Sequence, residues 1–295
     1  MNHKGACVSA LTDRIQSFPA LPSVVSRVIE LSSDPDCSMD EFLHVIRLDL
    51  SLTAAILKLA NSAFFGQTRR VSSLRQAIPI LGLNEIRNMV IARAMFNSFK
   101  TVKIEHWFDI RGFWVHSFLC GLAARVLARE TEPADDVFIS GLIHDIGKLV
   151  ILTVFPSQFA RVAARQDEPA FNMYQWEENL FGASHGEIGH NLLERWSFPK
   201  KLVDAVGFHH QPEKAGENTP AAALIYFADM VAHLGDNATD LGNNQDLKAF
   251  LFCERNIERA GHAGIPWTDE ALKAYLVGMV QLKEESMDLF SLFFS

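Results

Sequence analysis

An all-α protein is what the sequence predicts, and three observations carry that expectation. Apolar residues recur at spacings of three and four in the stretches beginning near Ser23, Leu52 and Glu85, the period of a helix that turns one face to a core. Helix-start signals are frequent: Ser38 with Glu41 and Ser73 with Gln76 read as capping boxes, and Asp49 and Asn84 are placed to cap the helices that follow them. Alternating strand patterns closed by Asn-Gly or Asp-Gly turns are missing.

Taken in order, residues 1–105 read as an N-terminal helical subdomain whose short helices are closed by Gly66, Gly82 and the polar segment from Lys100 to Glu105. It holds no polar cluster capable of chemistry. Residues 106–235 form the next expected subdomain: from Asp109 onward histidines become frequent and fall on helices, separated by Pro133, Pro156, Pro169, Pro199 and the stretch from Gln211 to Pro220. Residues 236–295 are expected to be an extension. Its start, around Gly235 to Gln245, is rich in Asp, Asn and Gly and reads as an exposed loop. A last helical segment from Asp269 to Ser295 ends in Leu289, Phe290, Leu292, Phe293 and Phe294, a tail suited to docking or to a homodimer.

With 48% apolar residues the chain can bury one large core or two moderate ones. A formal charge of -8 argues against an extended phosphate-binding face, so no nucleic-acid partner is expected. Arg69 and Arg70 make only a small basic spot, and a helix-turn-helix in the N-terminal region is the weakest reading. Cys7, Cys37, Cys120 and Cys253 show no CxxC spacing and read as reduced, scattered core residues. The N-terminus lacks a signal-peptide apolar core. The apolar stretches 142–155 and 221–234 are interrupted by His144, Asp145, Lys148 and Asp229, so they read as buried helices rather than membrane spans. A cytoplasmic protein is the expectation.

The sharpest local signal is His144-Asp145-Ile146-Gly147-Lys148 inside the apolar run from Phe138 to Ile151. An ionised carboxylate buried there needs a partner, because an isolated buried charge costs several kcal/mol, roughly. Metal coordination provides one: imidazole with carboxylate suits Fe, Mn, Zn and similar divalent ions, and adjacent helical residues could each reach one of two ions. Gly141 and Gly147 leave room for close approach. For the dipeptide alone, a structural salt bridge or a capped helix is the better explanation. His116 on an apolar helix can be a satisfied core histidine, and His209-His210 at a helix end can complement the dipole. His185 opens a helix, and Asp229, the sole charge of its apolar segment, fits an ion pair or a ligand. His233, one turn after Asp229, reads as a helix-surface histidine outside the site.

Taken together, the order His116, His144-Asp145 with Lys148, His185, His209-His210, Asp229 resembles the ligand series of HD-type phosphohydrolases, the HD-GYP branch in particular. Phe18-Pro19-Ala20-Leu21-Pro22, Asn61-Ser62-Ala63-Phe64-Phe65-Gly66, Ala77 to Leu83, Phe181-Gly182 and Trp196-Ser197-Phe198-Pro199 are similar to HDOD domains, with the resemblance running from about Leu11 to Gly235. The resemblance implies an N-terminal helical bundle packed on an HD-type bundle, acting as an output module in bacterial two-component or second-messenger signalling. It implies that His116, His144, Asp145, His185, His209, His210 and Asp229 hold two divalent transition metals, iron first, with manganese, zinc or nickel as alternatives. Asp145 would bridge the ions and act in catalysis with Lys148, which would face a substrate phosphate. Two departures stand against the HD-GYP phosphodiesterase pattern: Gln211-Pro212-Glu213-Lys214 follows the histidine pair where a Gly-Tyr-Pro loop belongs, and Gly112 stands where some relatives carry a Glu for a third metal. A regulatory module with a retained metal centre is therefore the first reading, and a metal-dependent phosphohydrolase or phosphodiesterase acting on a nucleotide is the alternative.

Overall fold

The helix starts show how far local chemistry reaches. In the computed structural model, which describes residues 3–18, 20–32, 38–61, 70–100, 106–128, 134–165, 172–236 and 245–293, every element among the described residues is helical. Ser38 and Glu41 close a full capping box on the helix Met39–Arg47, and the Asp49 side chain accepts from Leu52 N–H at the head of Leu50–Ala60. Ser73 caps Leu74–Leu81, but Gln76 reaches back to Ser72, one residue further than the box requires. Asn84 is not a cap; it lies inside the helix Leu83–Lys100. That helix follows directly on Gly82, whose φ of +80° ends the preceding one in a conformation that a side chain would strain.

The chain folds into two compact units, one of residues 20–101 with 280–295, the other of residues 1–19 with 102–279. In the first, helices α2 (Ser23–Ser32), α3 (Met39–Arg47), α4 (Leu50–Ala60), α5 (Leu74–Leu81) and α6 (Leu83–Lys100) pack on one another around Val28, Phe42, Ile46, Ile56, Leu59 and Met89. Asn61 ties the end of α4 to Val71 through both faces of its amide.

The second unit begins with α1 (His3–Ser17), which packs against α9, α11 and α12 of the following set. That set is α7 (Ile110–Leu127), α8 (Ala134–Ile143), α9 (Ile146–Val154), α10 (Pro156–Ala163), α11 (Met173–Phe181), α12 (His185–Arg195), α13 (Lys200–Gly207), α14 (Thr219–Asp236), α15 (Gln245–Leu251), α16 (Glu254–Ala263) and the first part of α17 (Asp269–Phe293). Helix α7 lies between α8 and α14, and α12 lies between α9 and α13. The 18 residues 137–154 are apolar and long enough to cross a membrane, but they form two helices broken at His144-Asp145, and 83% of them are buried in the fold. Cys7 and Cys120 are buried, whereas Cys253 is only half-buried at the start of α16. Gly66, Arg69, Cys37, Pro133, Pro169, the proposed boundary at 101–105, Ser62 to Gly66 of the Asn61 motif and most of the loop at 237–244 lie outside the described residues, as does the end of the tail at 294–295.

Candidate metal centre

His144 and Asp145 are not on a helix. They occupy the two-residue turn between α8 and α9. Neighbouring residues on one helix diverge by about a quarter-turn or more, so the break is what lets both side chains aim at one point. Opposite them stands the N-terminus of α12, where Ser184 caps the helix through Glu187 N–H and His185 is the first residue. Gly147 makes that approach feasible: a Cβ there would overlap the His185 carbonyl. The approach of α12 to α13 depends on Gly186 in the same way, since a Cβ would stand 2.7 Å from the Gly207 carbonyl oxygen. His209 and His210 follow immediately after α13, His116 sits in mid-α7 and Asp229 in mid-α14.

All seven residues singled out in the sequence meet in one cluster. Asp145 lies at its middle, with Oδ2 3.3 Å from His144 Nε2 and Oδ1 3.2 Å from His185 Nε2. On the first side, Asp229 Oδ1 is 3.0 Å from His116 Nε2 and 3.5 Å from His144 Nε2. On the second, His185 Nε2 faces His210 Nε2 at 2.9 Å and His209 Nε2 at 3.4 Å. Lys148 Nζ rests on Asp145 Oδ2 at 2.5 Å, so in this structure it pairs with the carboxylate.

The tautomers follow from what surrounds the rings. Nδ1–H of His144 donates to the Gly141 carbonyl at 2.8 Å and that of His209 to the Val206 carbonyl at 2.6 Å. His185 donates Nδ1–H to Glu177 Oε2 at 2.6 Å, and its backbone N–H donates to the same oxygen at 2.7 Å. Each of these rings therefore turns its Nε2 into the cluster, where the neutral form offers a lone pair. Lone pairs on His185 and His209 that face each other across 3.4 Å repel unless a cation lies between them.

Electrostatics reinforce this. Burial works against charge on both carboxylates, but His144 and Lys148 outweigh it at Asp145, and His233, His116 and His144 outweigh it at Asp229, holding both well below the ordinary carboxylate range. Burial, helped by neighbouring imidazoles, pushes His209 down to about 3 and His210 well below its usual value. Burial opposes charge on His144 too, but Asp145 prevails and raises it well above the usual histidine value. The cluster thus holds two ionised carboxylates and keeps His209 and His210 neutral, the forms that ligate metals, while the raised His144 shows that it draws positive charge to its centre. His116 Nε2, His144 Nε2, Asp145 Oδ1 and Asp229 Oδ1 are buried without a hydrogen-bond partner. The residues fit a metal: the donors are of the right chemistry, aimed inward and unsatisfied.

Sequence reasoning missed Glu177. It is fully buried on α11 and orients His185, as carboxylates behind metal-binding histidines do. Within Trp176-Glu177-Glu178-Asn179 nothing distinguishes it from a surface acid; only the register of α11, with Phe181 buried one turn later, marks its face. His233, which the sequence reads as a helix-surface residue outside the site, has its Nε2 3.4 Å from Asp229 Oδ1. After His210, residues Pro212–Lys214 form a short 3-10 turn, and Arg259 and Arg255 hold Glu213 at 2.9 Å and 2.8 Å.

Comparison with known proteins agrees with this frame. An HDOD domain protein of unknown function from Geobacter sulfurreducens is 25% identical, covers 96% of this chain and 99% of its own, and superposes with a TM-score of 0.74. A protein from Shewanella amazonensis SB2B, provisionally called a phosphohydrolase, is 24% identical over 97% of this chain and 98% of its own, also with a TM-score of 0.74, and shares the fold. An uncharacterised protein of Treponema pallidum is 26% identical over 235 residues, which are 78% of this chain and 45% of that protein. The chain spans less than half the length of the curated relatives it matches. The HDOD domain model matches residues 18–212, more than half of the chain, and on that match this protein belongs to the HDOD domain family.

Proposed function

We propose that this HDOD protein is a signal-transduction output module built around a two-metal centre, which serves a regulatory or sensory role. The observation that carries the reading is the buried set of inward-facing donors left without partners: His116 Nε2, His144 Nε2, Asp145 Oδ1 and Asp229 Oδ1. His116, His144, Asp145 and Asp229 would hold one ion; His185, His209, His210 and the other oxygen of Asp145 would hold the second. Imidazole and carboxylate donors favour iron, with manganese, zinc or nickel accepted according to supply. Such ions, when bound, supply Lewis acidity toward a phosphate-containing ligand. This chain's own residues do the rest: Glu177 fixes the His185 ring, the Gly141 and Val206 carbonyls fix His144 and His209, and the close-packed α9 and α12 exclude water. Partner proteins would be components of two-component or second-messenger pathways, in keeping with the family, and the apolar end of α17 is a place for such a contact or for a second copy.

A regulatory role is favoured over turnover by the segment after His210. There the chain makes a short turn whose Glu213 is clamped by Arg255 and Arg259, at the place where the HD-GYP pattern has its Gly-Tyr-Pro loop. Phosphohydrolase or phosphodiesterase activity is the second reading, supported by Lys148, whose partly exposed ammonium would leave Asp145 to meet a phosphate. Assaying metal-loaded protein against cyclic dinucleotides and a nitrophenyl phosphodiester separates the two. Metal without turnover is the expected result; turnover lost in Lys148→Ala would establish the second reading instead.

A further inference from the structure

His233 belongs to α14 one turn beyond Asp229, so the two side chains project along the same face. Its ring lies 4.3 Å from that of His116, tilted by 30°. Around Asp229 Oδ1 stand three imidazole Nε2 atoms: His116 at 3.0 Å, His233 at 3.4 Å and His144 at 3.5 Å. Yet this oxygen takes part in no hydrogen bond. Donors that share one first-row ion at about 2.1 Å stand roughly 3.0 to 3.4 Å apart, and the three distances here run from 3.0 to 3.5 Å. His116, Asp229 and His233 also form a triad whose ligand atoms all lie within 4.8 Å of one another.

We propose that His233 is a protein ligand of the metal on the His116 side, closing there the coordination position that a hydrolase would leave open to substrate. The inference rests on the two-metal reading above and sharpens it. Metal sites that act structurally are closed by protein donors, while catalytic ones keep a free position. With His116, His144, Asp145, Asp229 and His233, five protein side chains surround this ion. His233 differs from the others in exposure: its side chain is 61% exposed, against 14% for His116 and 18% for Asp229. It is the donor that an incoming anion would displace first, so the centre is closed at rest and opened only by competition.

The test uses cobalt(II) as the probe metal on the full chain, with the parent, His233→Ala and, as a surface-histidine control, His262→Ala. Metal is counted by mass spectrometry, coordination is read from visible absorption, and azide is titrated as a competing anion. The parent and His262→Ala should hold about two ions and resist azide. His233→Ala should keep its helical circular dichroism, bind one ion about 10- to 100-fold more weakly, change its absorption and take up azide, and added imidazole should restore the parent spectrum. A His233→Ala spectrum and azide response identical to the parent's overturns the assignment while leaving the two-metal centre standing. A parent that takes up no cobalt overturns both.

Discussion

Glu177 offers the sharpest quantitative test of how the cluster is held. The carboxylate is fully buried, and one oxygen accepts both the backbone N–H of His185 at 2.7 Å and its ring Nδ1–H at 2.6 Å. Glu177→Ala leaves two buried donors on His185 without an acceptor. Hydrogen bonds to a charged group contribute about 1.5–3 kcal/mol each. Part of that sum is offset because the carboxylate itself no longer has to be desolvated. The net loss should be about 3 kcal/mol, and Glu177→Gln, which keeps an acceptor in place, should lose about 1 kcal/mol. Urea unfolding of chelator-treated protein, followed by tryptophan fluorescence, measures both. Metal affinity should fall about 10- to 100-fold in the alanine variant, because an unanchored His185 presents its lone pair less often. A Glu177→Ala protein within about 0.5 kcal/mol of the parent, or one with unchanged metal affinity, would refute the argument that this carboxylate positions the histidine.

Gly147→Ala should be among the most damaging single-methyl changes in the chain, since its Cβ meets the His185 carbonyl; a loss of about 3 kcal/mol by urea unfolding, with loss of bound metal, is expected. In metal-free protein, His209 is held at about 3 in the fold against about 6.5 unfolded, so the unfolded chain binds the extra proton between those values. Stability should therefore fall as pH drops below about 6.5, by up to about 1.4 kcal/mol per pH unit, and His209→Gln should flatten the slope between about pH 4.5 and 6.5; an equal slope in parent and variant would contradict the assignment. His144 works in the opposite sense, its raised value adding stability that is present below about 6.5 and lost as pH rises. Ser38→Ala removes the cap on α3 and should cost about 1 kcal/mol in thermal unfolding without touching metal content.

The sequence was readable where local chemistry decides the outcome. Ser38, Asp49 and Ser73 cap helices because a short oxygen-bearing side chain at that point has one obvious donor to satisfy. His116, His185, His209 and Asp229, each polar among apolar neighbours, have ordinary explanations singly, and their order, which resembles the HD-type ligand series, is what gathers them into one site. What escaped was set by tertiary register. The turn at His144-Asp145 looks in sequence like one continuous apolar helix, and only the packing of α9 on α12 through Gly147 explains the break. Glu177 resembles the acids beside it until α11 is docked. His233 follows Asp229 at a spacing common to any helix face, and nothing in its neighbours separates a ligand from a solvated ring. Asn84 failed as a cap because Gly82 had already turned the chain into the next helix at Leu83.

The account stands on the metal centre, and metal content is the most direct measure of it. Protein purified without chelator or affinity tag should carry about two transition-metal ions per chain by mass spectrometry. His144→Ala and Asp145→Ala should lose metal, Asp145→Ala losing both ions because its two oxygens face the two sides of the cluster. A parent chain free of metal after growth and loading with iron, manganese, zinc or nickel would contradict the claim.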